Sequence, residues 1–179
     1  MLEIHAIRVE RLDAEALLLP VDGQLCRLGG APAAALRAAL ADDERDDELE
    51  YVTDQLARLR PLAHPAAHVI DGVAGWAKLV VSAAYPHNVD GHVFSPLECA
   101  RMVRAAIPLA LDAAQAAGVS SLAATLIGTA YRMPVDVAVR AFLDGVAAAR
   151  SSVLVRWSLP DGEARNHALA ASRRLGLLP

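Results

Sequence analysis

The sequence predicts an α/β fold, a three-layer α/β/α sandwich around a mixed, mainly parallel sheet. Short apolar segments typical of strands alternate along the chain with longer segments of helical periodicity. Glycine and proline stand at many of the boundaries between them. The chain has 179 residues and is 55% hydrophobic, which suffices for one domain with a sizeable core. We therefore expect residues 1–179 to form a single domain.

The first half of the chain contains two strand patterns and two helical patterns. Residues 3–10 alternate roughly between polar and apolar side chains, which predicts a half-exposed strand. Residues 16–21 form an apolar run typical of a strand buried on both faces. A glycine-rich loop follows, and a proline then favours a helix over residues 33–41. Residues 42–50 are acidic, which we interpret as a solvated helix joint rather than an interaction surface, and residues 48–60 predict a second helix.

The middle of the chain predicts two strands and a long helix. Residues 67–71 and 78–84 are strand-like and are separated by a turn. A helical pattern over residues 96–117 opens with the start signal Ser-Pro-x-Glu and ends at Gly118. Pro108 lies inside this pattern, so either the helix kinks there or the segment forms two helices.

The last third of the chain continues the alternation of strands and helices. Residues 120–127 predict a strand, and Pro134 opens the next helix. Residues 152–158 predict the final strand. A C-terminal helix is expected over about residues 163–175, with Asp161 as its N-cap.

Composition excludes several classes of protein. The net charge of −4 and pI of about 5.8 argue against general nucleic-acid binding, yet they allow a small anion to be held in one local pocket. No segment approaches the ~20 uncharged apolar residues of a membrane span. Charged residues in the first turns of the chain do not fit a signal peptide, so we expect a cytoplasmic protein.

Cys99 and the tryptophans are expected to pack rather than react, whereas Cys26 lies in a glycine-flanked loop and its role is left open. Cys26 and Cys99 lie in different predicted elements, which does not favour a disulfide framework or a structural zinc site. Cys99 falls within a helical pattern and is expected in the core. Trp76 and Trp157 are interpreted as packing residues. We expect no cofactor and no bound metal.

Three loops follow the carboxyl ends of predicted strands, where ligands of parallel sheets bind: 21–32, 85–96 and 127–134. The glycines of the first loop would let backbone N–H groups approach an anion at a helix N-terminus. Asp22 in this loop could accept a hydrogen bond from a ligand hydroxyl or activate water. The alternative is a plain strand-to-helix turn.

The third loop offers a second set of phosphate contacts. Its backbone amides, the Thr129 hydroxyl and the Arg132 guanidinium could surround a phosphate or pyrophosphate. Because both loops follow neighbouring strands, we expect them to form one cleft.

Histidines suggest a weaker alternative. His87, Asp90 and His92 in the middle loop could bind a metal or act as acid and base, or they are solvated loop residues. His64 and His68 have the spacing of a helical metal pair, but the intervening proline disrupts that helix.

Four segments resemble the macro domain family. Residues 15–22 (EALLLPVD) resemble a strand that reads roughly D-A-I-V-N-A-A-N, and residues 29–32 (GGAP) fall at the family's glycine-rich turn. Residues 82–86 (SAAYP) resemble a strand end that finishes in proline. Residues 126–134 (LIGTAYRMP) resemble the second phosphate loop, roughly a-I-s-T-G-i-y-G-f-P. The order of elements matches over about residues 3–158, which defines the expected core.

The resemblance implies binding of a small anionic nucleotide such as ADP-ribose, and some family members also hydrolyse ADP-ribose from proteins. Asp22 would then position water for hydrolysis. Residues from both loops would contact the ligand: Asp22, Gly23, Gly29, Gly30, Ala31, Gly128, Thr129, Ala130, Tyr131 and Arg132. The N-terminal domain of leucine aminopeptidases has a similar fold.

The sequence departs from the family pattern at several positions. Arg8 stands where the family often has an aspartate that contacts adenine, and Asp22 stands at a strand-end asparagine. Ala130 and Met133 replace glycines of the second loop. These changes favour an alternative in which a degenerate domain acts as a non-enzymatic module for protein interaction or homo-oligomerisation.

Overall fold

The structure is a computed structural model that describes residues 1–41, 46–85, 94–129 and 132–178. The strands are β1 (Leu2–His5), β2 (Ala16–Asp22), β3 (Ala67–Asp71), β4 (Lys78–Tyr85), β5 (Ser121–Thr125) and β6 (Leu154–Ser158). The helices are α1 (Gly30–Ala41), α2 (Asp46–Leu59), α3 (Pro96–Ala116), α4 (Val135–Ala148) and α5 (Gly162–Arg174).

The strands of the described residues form one six-stranded sheet in the order β1-β6-β5-β2-β4-β3. Neighbouring strands are parallel except β3, which pairs antiparallel with β4 at one edge. Helices α3, α4 and α5 pack on one face, and α1 and α2 cover the other. The predicted three-layer sandwich with a mixed, mainly parallel sheet is therefore confirmed.

Strand β2 shows why the central strands are apolar throughout. Leu18 packs into the core beneath α3 and α4, whereas Leu17 and Leu19 pack into the core beneath α1 and α2. Successive side chains of a strand point to opposite faces, so a strand covered on both sides must be apolar at every position. Burial on both faces thus explains the apolar run over residues 16–21, from which the strand was predicted.

The first strand is shorter than predicted. β1 pairs with β6 only as far as His5, which lies opposite Ser158 at the end of that strand. The backbone N–H of Leu159 then donates to the His5 carbonyl, and the Ser158 hydroxyl donates to the Ile7 carbonyl at 2.7 Å. Beyond this point the chain forms a short 3₁₀ turn, Val9–Arg11. The strand predicted over residues 3–10 is therefore wrong in its second half, because β6 offers no further partner.

Helix α3 runs as one element through Pro108. Its start is fixed by a capping box, in which the Ser95 side chain accepts from the Glu98 N–H and the Glu98 carboxylate accepts from the Ser95 N–H. The two-helix alternative is thus not adopted. Residues 42–45 of the acidic run lie outside the described residues, and residues 46–50 form the beginning of α2.

Cys99 and the tryptophans are buried, as predicted, and Cys26, whose role the sequence left open, is buried as well. Cys26 and Cys99 are free thiols in the core. Trp157 stacks on Phe142 with ring centroids 4.4 Å apart. Among the described helices, none combines the length and apolar character that a membrane crossing requires. Within the described ranges, no group of three or more His, Cys, Asp or Glu side chains is arranged to hold a metal ion.

Candidate functional site

A groove crosses the carboxyl ends of β2, β5 and β6, and it has two compartments. The polar compartment has a volume of about 520 Å³ and is lined by Pro20, Val21, Asp22, Arg27, Gly29, Gly30, Ala31, Pro32, Tyr85, Leu126 and Thr129. The apolar compartment has a volume of about 610 Å³; its alanines, leucines and valines come mainly from α1, α4 and the ends of β5 and β6. Ala31, Leu126 and Thr129 line both compartments, so the two compartments adjoin.

Asp22 terminates β2 and organises the loop that follows it. Its carboxylate oxygen Oδ1 accepts a hydrogen bond from the Leu25 N–H at 2.6 Å. Its backbone carbonyl accepts from the Cys26 N–H at 2.9 Å. The half-buried carboxylate therefore holds the loop in place as well as facing the polar compartment.

The glycines of this loop have different structural roles. Gly23 is buried under Leu62, where a Cβ atom would overlap the Leu62 carbonyl oxygen, and it is not among the described residues that line the groove. Gly30 has φ +69°, a left-handed conformation that turns the chain into α1. Gly29 is exposed and borders the polar compartment.

The N-terminus of α1 is suited to an anion. Gly29, Gly30 and Ala31 border the polar compartment at this helix end, and the first turn carries no acidic residue. The first N–H groups of a helix lack partners within the helix, and the helix dipole favours negative charge there. The predicted glycine-rich anion loop is thus placed beside the groove.

The loop after β5 is held by a tyrosine. The Gly128 N–H donates to the Tyr85 hydroxyl at 3.1 Å. This amide, which the sequence suggested as a phosphate contact, therefore already has a hydrogen-bond partner. The Arg132 N–H donates to the Thr129 carbonyl at 3.1 Å. Arg132 is exposed, and neither Gly128 nor Arg132 is among the described groove-lining residues.

Several sequence-based expectations fall on residues that the structure does not describe. Ala130 and Tyr131 of the third loop lie outside the described residues. The same holds for His87, Asp90 and His92 of the middle loop.

The apolar compartment contains polar groups that sequence reasoning missed. Glu10 has a side chain that is only 19% exposed, and its Oε1 lies 3.8 Å from the Arg8 Nη1. The Thr125 hydroxyl is buried and has no hydrogen-bond partner among the described residues. Because residues 3–10 read as one strand, the sequence did not single out Glu10 or Thr125, whereas the resemblance already placed Arg8 at the expected adenine site.

Substitution of Tyr85 by phenylalanine is expected to weaken the loop after β5. The change removes the acceptor of the Gly128 N–H, which should cost about 1 kcal/mol of unfolding free energy and loosen the groove wall. Urea unfolding measures this, with Tyr51→Phe on α2 as the matched control that alters no bond to this loop. Equal stability of the two variants would contradict a supporting role for the Tyr85 hydroxyl.

No protein-family model matches the sequence, and no curated protein matches it. Solved structures do match. An Oceanobacillus iheyensis macrodomain mutant with ADPR has a TM-score of 0.76 at 14% identity, covering 99% of this chain and 94% of that one. A Trypanosoma brucei macrodomain in complex with ADP-ribose has a TM-score of 0.69 at 13% identity, covering 95% and 68%.

The alphavirus P23pro-zbd structure is also similar, with a TM-score of 0.64 at 16% identity. The match covers 98% of this chain but only 23% of that one, so this chain is similar to one part of that larger structure. The macrodomain structures match nearly the whole of this chain. The chain therefore has the macrodomain fold, with a sequence that has diverged far from those of the matched structures.

Proposed function

We propose that residues 1–179 form one domain that binds ADP-ribose in the groove. The observation that carries this proposal is that an apolar compartment adjoins a polar one at the N-terminus of α1. The two ends of ADP-ribose match these two compartments, because a flat base lies at one end and a pyrophosphate and second ribose lie at the other. Two of the matched macrodomain structures, one with ADPR and one in complex with ADP-ribose, support this choice.

The adenine is assigned to the apolar compartment. Ala34 and Val135 line it from opposite helices and can contact the two faces of a base. Glu10 would accept a hydrogen bond from the exocyclic amine, in place of the family's aspartate.

The pyrophosphate and distal ribose are assigned to the polar compartment. Free N–H groups at the start of α1 would bind the pyrophosphate near Gly30 and Ala31, with the Thr129 hydroxyl opposite them. Ala130 and Tyr131 would add further N–H groups, and the Arg132 side chain would add positive charge. Asp22 would accept hydrogen bonds from the distal ribose.

Calorimetric titration with ADP-ribose at low salt tests the proposal. We expect saturable binding tighter than about 100 µM. AMP and ribose 5-phosphate, which each fill one compartment, should bind more weakly than ADP-ribose. Absence of heat at millimolar ADP-ribose would overturn the proposal and favour the interaction module.

Hydrolysis of an ADP-ribosyl bond is proposed as a second property of the same site, with Asp22 positioning the water. Replacement by asparagine keeps an oxygen that accepts from Leu25 N–H but removes the charge. We expect Asp22→Asn to retain the fold, to bind ADP-ribose at least as tightly, and to lose activity by about 100-fold. Release of ADP-ribose from a modified protein measures this.

The activity of Asp22→Asn distinguishes a catalytic role of the Asp22 carboxylate from its role in holding the loop after β2. Asp22→Ala serves as the comparison, because it removes both the charge and the acceptor of the Leu25 N–H. Wild-type turnover by Asp22→Asn would remove the catalytic role of this residue.

A further inference from the structure

A second cavity, of about 330 Å³, lies between α1, α2 and the loop after β2. Three arginines line it, each from a different part of the chain: Arg27 from the loop, Arg37 from α1 and Arg60 just after α2. The rest of its wall is Leu25, Cys26, Leu28, Leu49, Thr53, Leu56 and Ala57. We call this cavity the arginine pocket.

The arginine pocket concentrates positive charge in an acidic protein. The net charge of the chain is −4, yet no carboxylate lines this pocket among the described residues. Arg27, Arg37 and Arg60 are exposed, and none of them forms an ion pair with a described carboxylate. Placement near the C-terminus of α2 accounts for Arg60 by itself, since cations are favoured there. It does not account for three guanidinium groups around one cavity.

The arginine pocket adjoins the polar compartment of the groove. Arg27 lines both cavities. Burial raises the pKa of the Cys26 thiol, the charge of Asp22 raises it further, and the charge of Arg60 opposes the shift. The shared residue Arg27 places the two cavities side by side.

We propose that the arginine pocket binds a phosphate group next to the distal-ribose end of the groove. Guanidinium groups match phosphate oxygens with paired N–H donors, and several of them together hold a dianion. A volume of about 330 Å³ is at the lower end for ligand pockets, and it suits a phosphate or pyrophosphate rather than a second nucleotide. The inference rests on the proposed function for the ligand of the groove.

The phosphate group has two candidate sources. It is either a substituent on the distal ribose of the groove's ligand or a separate inorganic phosphate or pyrophosphate. Both sources present the same anionic oxygens to the three arginines.

Calorimetry on the full chain at low salt tests the pocket with pyrophosphate, independently of ADP-ribose. We expect Arg37→Gln and Arg60→Gln each to weaken pyrophosphate binding about tenfold, because each removes a charge-assisted contact. Neither residue lines the groove, so the affinity for ADP-ribose should be unchanged. Arg58→Gln is the matched control, since it removes the same charge from the end of α2 but does not line the pocket.

A second titration identifies the source of the phosphate. Wild-type protein is titrated with ADP-ribose that carries a phosphate monoester on its distal ribose. Binding about tenfold tighter than that of ADP-ribose, with the gain lost in Arg37→Gln, would assign the phosphate to the ligand. Equal affinity of the two nucleotides, with arginine-dependent pyrophosphate binding, would assign a separate anion.

The proposal is overturned if wild-type protein does not bind pyrophosphate, or if Arg58→Gln weakens binding as much as Arg37→Gln. Failure of ADP-ribose to bind, with arginine-dependent pyrophosphate binding intact, would reject the proposed function while retaining the pocket. The two failures are thus distinguishable in one set of titrations.

Discussion

Replacing Gly23 with alanine is expected to destabilise the protein by about 2–3 kcal/mol, the cost of overpacking a buried site. The added Cβ would overlap the carbonyl oxygen of Leu62, which is backbone and cannot rotate away. It would also lie 3.4 Å from the Cβ of Ala83 on β4. Relief of the overlap requires the loop after β2 to separate from the segment that carries Leu62, which would break the hydrogen bond from the Leu62 N–H to the Gly23 carbonyl.

Gly29→Ala is the matched control for this substitution. It adds the same methyl group to the same loop, but no other group lies within 4 Å of the added Cβ. Its effect on stability should lie within about 0.5 kcal/mol of zero. Urea unfolding of both variants measures the difference. Equal stability would show that the loop adapts, and that Gly23 is not required for packing.

Replacing Ala31 with phenylalanine is expected to weaken ADP-ribose binding about 100-fold, or about 2.7 kcal/mol. Ala31 lines both compartments at their junction, where the ligand must pass from base to pyrophosphate. A phenyl ring there would occupy space in both compartments. The residue is exposed in the first turn of α1, so the fold should tolerate the larger side chain.

Ala105→Phe provides the control for the groove variant. Ala105 is also an exposed helical alanine, but it lies on α3 and lines neither compartment. Its ADP-ribose affinity, measured by calorimetry, should equal that of the unmodified protein. Undiminished binding by Ala31→Phe would show that the ligand does not follow the groove.

The fold class was predictable because the strongest signals were local. The apolar run of β2 predicts a strand covered on both faces, and the structure places core on both of its sides. The capping signal at Ser95 predicts the start of α3 correctly. Composition adds little to either prediction, since alternation and boundary residues carry the information.

The end of β1 was not predictable from its own residues. Alternation continues through residue 10, whereas the strand ends at His5 because its partner β6 ends at Ser158. The signal that terminates the strand therefore lies more than 150 residues away. This misplacement also concealed Glu10 as a residue of the groove.

The roles of the loop glycines required the tertiary structure for the same reason. Gly23 and Gly29 are indistinguishable in sequence as parts of a glycine-rich loop. Their roles differ because Gly23 packs against Leu62, which follows the C-terminus of α2, whereas Gly29 has no such neighbour. Tyr85 likewise holds Gly128 across 43 residues of sequence.

The pairing of β1 with β6 determines when the groove can form during synthesis of the chain. The apolar compartment is lined by residues that follow β1 and by residues at and after the end of β6: Arg8, Val9, Glu10, Ser158, Leu159, Pro160, Asp161, Glu163 and Ala164. Until β6 has emerged from the ribosome, β1 of the nascent chain lacks the strand with which it pairs. Contacts of such long sequence separation form slowly and late in folding. Ligand affinity should therefore arise only when translation has passed the end of β6, so the ligand can stabilise the completed domain but cannot template its early folding.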